Sequence, residues 1–157
     1  MLNFEEITAR YGLYLSTFLV CLLSGLLPVI NVEVFLLLVS SLSPKFLLFP
    51  LLLLSTLGQM TAKSVLYLVG WGVLRIPVRK SEGKMERVKK SFEKWKSRRD
   101  LLIFLSASTG IPPFYLVSIL AGVMKLNFLR FLLFGSLGRL TRFSLTLWLP
   151  QWIKGIL

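Results

Sequence analysis

The sequence has no histidine, one aspartate (Asp100), one cysteine (Cys21) and seven acidic residues against nineteen basic ones. Without His there is no imidazole metal site and no triad that uses His as its base. A single Asp argues against a paired-aspartate membrane protease and against a lipid transferase built on an acidic metal cluster. A serine hydrolase on Ser106 or Ser108 would lack a base, and Ser and Thr in apolar helices commonly bond their own backbone. We therefore expect no enzyme, no metal and no cofactor. One Cys forms no disulfide within the chain and identifies no compartment.

What the chain does have is apolar length. Fifty-five per cent of its residues are hydrophobic and its mean hydropathy is +0.73, well above a soluble domain. The expected class is an all-α integral membrane protein. At 157 residues it reads as one domain, residues 1–157, with no separate soluble domain beside the membrane part. The start, MLNFEEITAR, lacks a basic n-region, so no signal peptide is expected.

The most informative stretch is residues 101–124, which carries no charge. At about 1.5 Å per residue an unbroken helix of this length would cross a hydrocarbon core of roughly 30 Å. Gly110, Pro112 and Pro113 stand at its centre, and proline removes a donor and pushes its predecessor out of helix. Each flank is then long enough only for the bilayer midplane. Such a break persists in lipid only where protein or water satisfies the freed backbone groups. Short Pro/Gly-interrupted apolar segments point to transporter substrate sites. We read residues 101–124 as a re-entrant hairpin; a Pro-kinked spanning helix is the alternative.

The first half has a similar plan. Residues 11–44 carry one charge, Glu33. Pro28 breaks the segment, Asn31 supplies turn chemistry, and Glu33 follows two residues on. A carboxylate at mid-bilayer costs roughly 2.5–3.5 kcal/mol on insertion scales, so Glu33 is either functional and paired or sits near one interface. Residues 46–74 form a span. There Gly58 and Ala62 lie four apart and share a face open to close helix approach. Lys63 either snorkels to an interface or neutralises Glu33.

Residues 75–99 hold eleven Lys/Arg and three Glu, a net of +8 (11 minus 3). The positive-inside rule makes this loop cytoplasmic. Met85, Val88, Phe92 and Trp95 recur at helical spacing, so a basic amphipathic helix lying on anionic headgroups is expected. Nucleic acid is a poor partner for a loop hemmed between membrane segments. A second span occupies residues 128–149, with Gly135 and Gly138 thinning one face and Trp148 and Trp152 as interfacial anchors. Arg139 and Arg142 lie near mid-depth, marking a pathway, a headgroup site or an acidic partner; a later start to the span would let both snorkel. The whole is two Pro-broken re-entrant hairpins and two spanning helices as an inverted repeat. The basic helix separates the halves, and a midplane site lies between the breaks.

Three motifs carry a family resemblance: Pro28 to Glu33, GQMTAKSVLYLVG (Gly58 to Gly70), and TGIPPFYLVSILAGVMKLNFLRFLLFGSLGRLTRF (Thr109 to Phe143). In the last, Ala121-Gly122, Phe131, Gly138 and Arg142 fall at family positions. The chain resembles the DedA family, also called the SNARE-associated or VTT-domain family, over nearly all of its length outside the amphipathic loop and the termini. The resemblance implies two opposed re-entrant hairpins. It also implies movement of lipid across the bilayer, by scrambling or by transport of phospholipid or polyprenyl-phosphate, sometimes proton-coupled. The chain departs from many members in Asn31-Val32 (for Pro-Gly), in Lys63 (for an acid), and in Ser106, Ser108 and Thr109 (for arginines). Substrate and coupling therefore lie outside what the resemblance implies.

The expected site comprises Glu33, Lys63, Arg139 and Arg142, framed by Pro28, Asn31, Gly110, Pro112 and Pro113. Glu33 would set the charge of the groove and exchange protons, and the arginines would attract a phosphate. Membrane lipids are the expected partners, a homo-oligomer is compatible, and a prokaryotic plasma membrane is the expected location. Two other readings stay open. One is a proton-coupled small-ion or drug transporter using Glu33. The other is a non-transporting membrane assembly protein.

Overall fold

The structure is a computed structural model that describes residues 4–27, 30–73, 82–95 and 97–156. Among these residues it is all helical: α1 (Phe4–Leu26), α2 (Val32–Leu42), a 3-10 turn (Lys45–Leu47), α3 (Leu48–Trp71), α4 (Glu82–Lys94), α5 (Arg99–Thr109), α6 (Phe114–Val123) and α7 (Phe128–Ile156). Helix ends follow the local chemistry. Asn31 caps α2, and Gly72 and Gly110 close α3 and α5 in the left-handed conformation that costs glycine least. Asn127 Oδ1 accepts from the Arg130 amide at the start of α7.

The polarity is that of a bilayer protein. Leu15, Leu19, Leu23, Leu57, Leu133 and Leu137 stand exposed, whereas Thr17, Ser24, Gln59, Lys63, Ser106 and Arg139 are buried. An apolar outside around a polar inside suits lipid as solvent and penalises water. Two helices, over Ala9–Leu26 and Lys45–Trp71, are long and apolar enough to span by length and composition.

Contacts fix the helix directions. Glu33 and Ser40 of α2, and Ser43 just beyond it, meet Arg142, Leu147 and Gln151 of α7 in rising order, so the two helices run the same way. Gly58 of α3 faces Phe18 to Leu22 of α1, and Ala62 faces Gly25. Gly138 of α7 faces Phe104 to Ser108 of α5, and Arg142 faces Gly110. Phe114 shares Gly135 with Met60, and Gly122 abuts Tyr67 and Trp71, so α6 follows α3. Gly135 lies by Met60 while Phe128 and Phe131 lie by Tyr67, so α7 opposes α3. Thus α1, α3 and α6 point one way and α2, α5 and α7 the other.

Small residues set the spacing. A Cβ on Gly122 would lie 1.9 Å from the Tyr67 carbonyl oxygen, so α6 crosses α3 backbone against backbone. The expected face of Gly58 and Ala62 is used likewise, against α1. Three boundaries differ from the sequence reading. The helix before the first break starts at Phe4, inside the polar lead, rather than at Tyr11. The first span closes at Trp71, and the last span continues through Pro150 to Ile156.

The amphipathic helix also differs. Val88 and Phe92 of α4 are buried in one cluster with Leu116, Val117 and Leu120 of α6. The stripe expected to lie on lipid is therefore spent on the protein's own core, because α6 offers it a continuous apolar surface. Lys84, Arg87, Lys89 and Lys90 remain on the outside.

Candidate functional site

Both breaks lie beside the middle of α7. At the first, Asn31 Oδ1 accepts from the amides of Glu33 (3.1 Å) and Val34 (3.5 Å), satisfying two orphan donors of α2. That cap sets Glu33 in the first helical turn, where the dipole favours a carboxylate. Pro28, expected to make this break, lies outside the described residues.

At the second break Gly110 has φ +80° and ends α5. The backbone groups freed there are taken up by side chains. Ser106 Oγ donates to the Pro112 carbonyl (2.5 Å), and Thr109 Oγ1 accepts from the Ile111 amide (3.2 Å) while donating to Leu105 O (2.7 Å). Protein thus satisfies the interrupted backbone, as an apolar medium requires. Pro113 caps α6, where its fixed φ and missing donor do no harm.

Arg142 joins the two breaks. It is the fifteenth of the 29 residues of α7. Its Nε donates to Glu33 Oε1 at 2.6 Å, a second donation runs from Nη2 to the same oxygen, and Nη1 lies 3.4 Å from Ser108 O. Glu33 is at the head of α2 and Ser108 at the tail of α5. One guanidinium therefore satisfies a carboxylate from one break and a carbonyl from the other.

Lys63 and Arg139 take other roles. Lys63, buried at 4% exposure, donates from Nζ to Gly25 O at 2.6 Å and so caps the last turn of α1. Of the two outcomes open for Lys63, snorkelling and neutralising Glu33, the structure adopts neither, since a helix end supplies a nearer acceptor. Arg139 lies between the rings of Phe114 and Phe143, 5.0 and 5.7 Å from their centroids. It is 8% exposed, and its Nε has no hydrogen-bond partner among the described residues. Arg139 is close enough to Lys63, Arg142 and Glu33 for their charges to interact. Arg142 takes up the carboxylate of Glu33, and Arg139 beside it has no ion-pair partner among the described residues.

Sequence reasoning missed Gln59, whose Nε2 donates to Ser24 Oγ at 2.6 Å one turn before Lys63. An amide inside a Leu-rich span was the available signal. Phe114 was missed as well, because a ring beside two prolines reads as packing until Arg139 is seen on its face. A groove of about 650 Å³ between α3 and α7, walled by Leu57, Met60, Leu129 and Leu133, opens beside the centre. Its floor at Met60 adjoins Gly135 and Phe114. Among the described residues no three His, Cys, Asp or Glu gather where a metal could bind.

Helices that are apolar outside, polar at mid-length and interrupted beside an ion pair define a polytopic membrane protein. The VTT domain family profile matches residues 30–149, 120 of 157 residues, and the chain belongs to that family, the DedA or SNARE-associated family. Neither curated proteins nor solved structures returned a match.

Proposed function

We propose that this protein moves a phosphate-bearing lipid, phospholipid or polyprenyl-phosphate, across the bilayer through the polar centre between its two breaks, without covalent chemistry. The observation that carries this reading is the buried guanidinium of Arg139 at that centre. Glu33 is taken up by Arg142 and Lys63 is taken up by a carbonyl, which leaves buried Arg139 without an ion-pair partner among the described residues. An uncompensated cation in apolar surroundings is costly, and a phosphate offers it charge-assisted bonds. The α3–α7 groove gives acyl chains an apolar route past the same level.

The helix directions support re-entrant hairpins in an inverted repeat. First arms α1 and α5 lie along the long helices α3 and α7 of their own halves. Returning arms α2 and α6 lie along the long helix of the other half. In this reading residues 75–99 face the cytoplasm of a prokaryotic plasma membrane, and the basic side of α4 meets anionic headgroups.

The test is reconstitution into liposomes carrying a trace of fluorescent phosphatidylglycerol, with a membrane-impermeant quencher outside. Wild type should make inner-leaflet label accessible without a gradient, and Arg139→Gln should slow this about tenfold or more, as loss of a charge-assisted contact implies. No lipid movement with wild type would overturn the reading. Gradient-driven ion flux alone would favour a small-ion transporter, and neither activity an assembly protein.

A further inference from the structure

A second polar feature lies far from the central pair, where the loop side of the molecule meets α5 and α7. A cavity of about 220 Å³ there is lined by Ser97, Arg99, Asp100, Asn127 and Arg130, with polar and apolar walls in similar measure. A groove of about 470 Å³ starts from the same Ser97 and Asp100 and continues along Leu101, Phe104, Phe134 and Leu137. The two share a mouth. One sets charged and polar groups beside Ile103 and Leu126, and the other is an apolar channel between α5 and α7 with Leu101 and Leu137 on its open side.

The charges at the mouth are not balanced. Arg98, Arg99 and Arg130 surround Asp100, an excess of two (3 minus 1). Asp100 meets Arg130 only at 3.7 Å, beyond a hydrogen bond, and the Arg130 side chain is 70% exposed. Arg99 Nε is shielded from solvent and has no hydrogen-bond partner among the described residues. A buried donor without an acceptor is uncommon in a folded chain. A short polar cavity with cationic walls opening onto an apolar channel matches one kind of molecule, a phosphate headgroup carrying acyl chains.

We infer that the mouth at Arg98, Arg99 and Arg130 is a binding site for an anionic phospholipid, with the phosphodiester in the polar cavity and one acyl chain in the Leu101–Leu137 groove. The site holds a lipid of the loop-side leaflet against the foot of α5, the helix that leads to the second break. It does not depend on transport, since binding here would stand even if no lipid crossed the membrane.

The test uses the full chain in detergent micelles, titrated with 1-palmitoyl-2-oleoyl phosphatidylglycerol or the matching phosphatidylcholine and read by native mass spectrometry. Wild type should retain phosphatidylglycerol about tenfold more tightly, and Arg99→Gln with Arg130→Gln should reduce it to the phosphatidylcholine level. Leu137→Trp fills the groove from its exposed side without disturbing the core, and should weaken both lipids while leaving the preference intact. Inorganic phosphate at millimolar concentration should not displace the lipid. Equal retention of the two lipids by wild type, or an unchanged preference in the double variant, would overturn the site. Displacement by inorganic phosphate would show a simple anion site instead.

Discussion

Glu33 and Arg142 stand 109 residues apart in sequence, and the Nε of one lies 2.6 Å from the Oε1 of the other. The pair links the start of α2 to the middle of α7, and through Nη1 to the tail of α5. The continuous α7 therefore supplies the one side chain that reaches both breaks.

If this pair ties the two breaks together, its members should be energetically coupled. Glu33→Gln and Arg142→Gln should each lower thermal stability in detergent. The double variant should lose less than the sum, with a coupling of about 1–3 kcal/mol. An additive cycle would mean that the bond contributes nothing to holding the breaks.

Lys63 should behave differently, since it caps α1 at Gly25 O rather than meeting Glu33. Lys63→Met strands a buried carbonyl and should cost roughly 1–3 kcal/mol. Combined with Glu33→Gln it should be additive to within about 0.5 kcal/mol. A cycle with larger coupling would restore the direct pairing that the charge pattern alone suggests.

Much of this centre was legible beforehand, for physical reasons. Proline and glycine in an apolar run have few other uses, so the second break, Gly110 to Pro113, could be placed to the residue. A lone Glu among leucines announces a partner. Which of three cations it would choose was not legible, because the choice depends on helix register across α7 and not on any local pattern. The destination of the α4 stripe was hidden for a similar reason. Val88 and Phe92 at helical spacing suit lipid and protein equally, and only the position of α6 decides.

Gly110 offers a sharper probe of the break. Its φ of +80° disfavours any side chain, and a Cβ there would lie 2.7 Å from Arg142 Nη1. Gly110→Ala should cost about 1–2 kcal/mol in backbone strain and displace the guanidinium from Ser108 O. Lipid movement should fall with stability, and adding Arg142→Gln should cause little further loss of transport. Full activity in Gly110→Ala would mean that this corner does not position the pair.

Replacing Pro112 and Pro113 with alanine tests the interruption itself. Without them α5 and α6 gain the donors and the backbone freedom to approach one continuous helix. The protein should still insert, since no charge is added, while lipid movement falls. A fully active double variant would make the break a kink without function.

The helix directions also make topology testable. Because α1 runs with α3, and α3 leads toward the basic loop, the start of α1 lies on the side opposite that loop. Because α7 opposes α3, the end of α7 lies there too. By the positive-inside rule, the eleven basic residues in 75–99 predict that loop on the cytoplasmic side. A Cβ on either Gly83 or Gly155 would meet nothing within 4 Å, so a cysteine fits at both without disturbing the fold. The native Cys21 is fully buried, so wild type gives the unlabelled baseline. With a membrane-impermeant maleimide on intact cells, Gly155→Cys should label and Gly83→Cys should label only after permeabilisation. The reverse pattern would invert the protein in the membrane. Labelling of both from outside would break the link between helix direction and side, and with it the two-sided arrangement of the breaks.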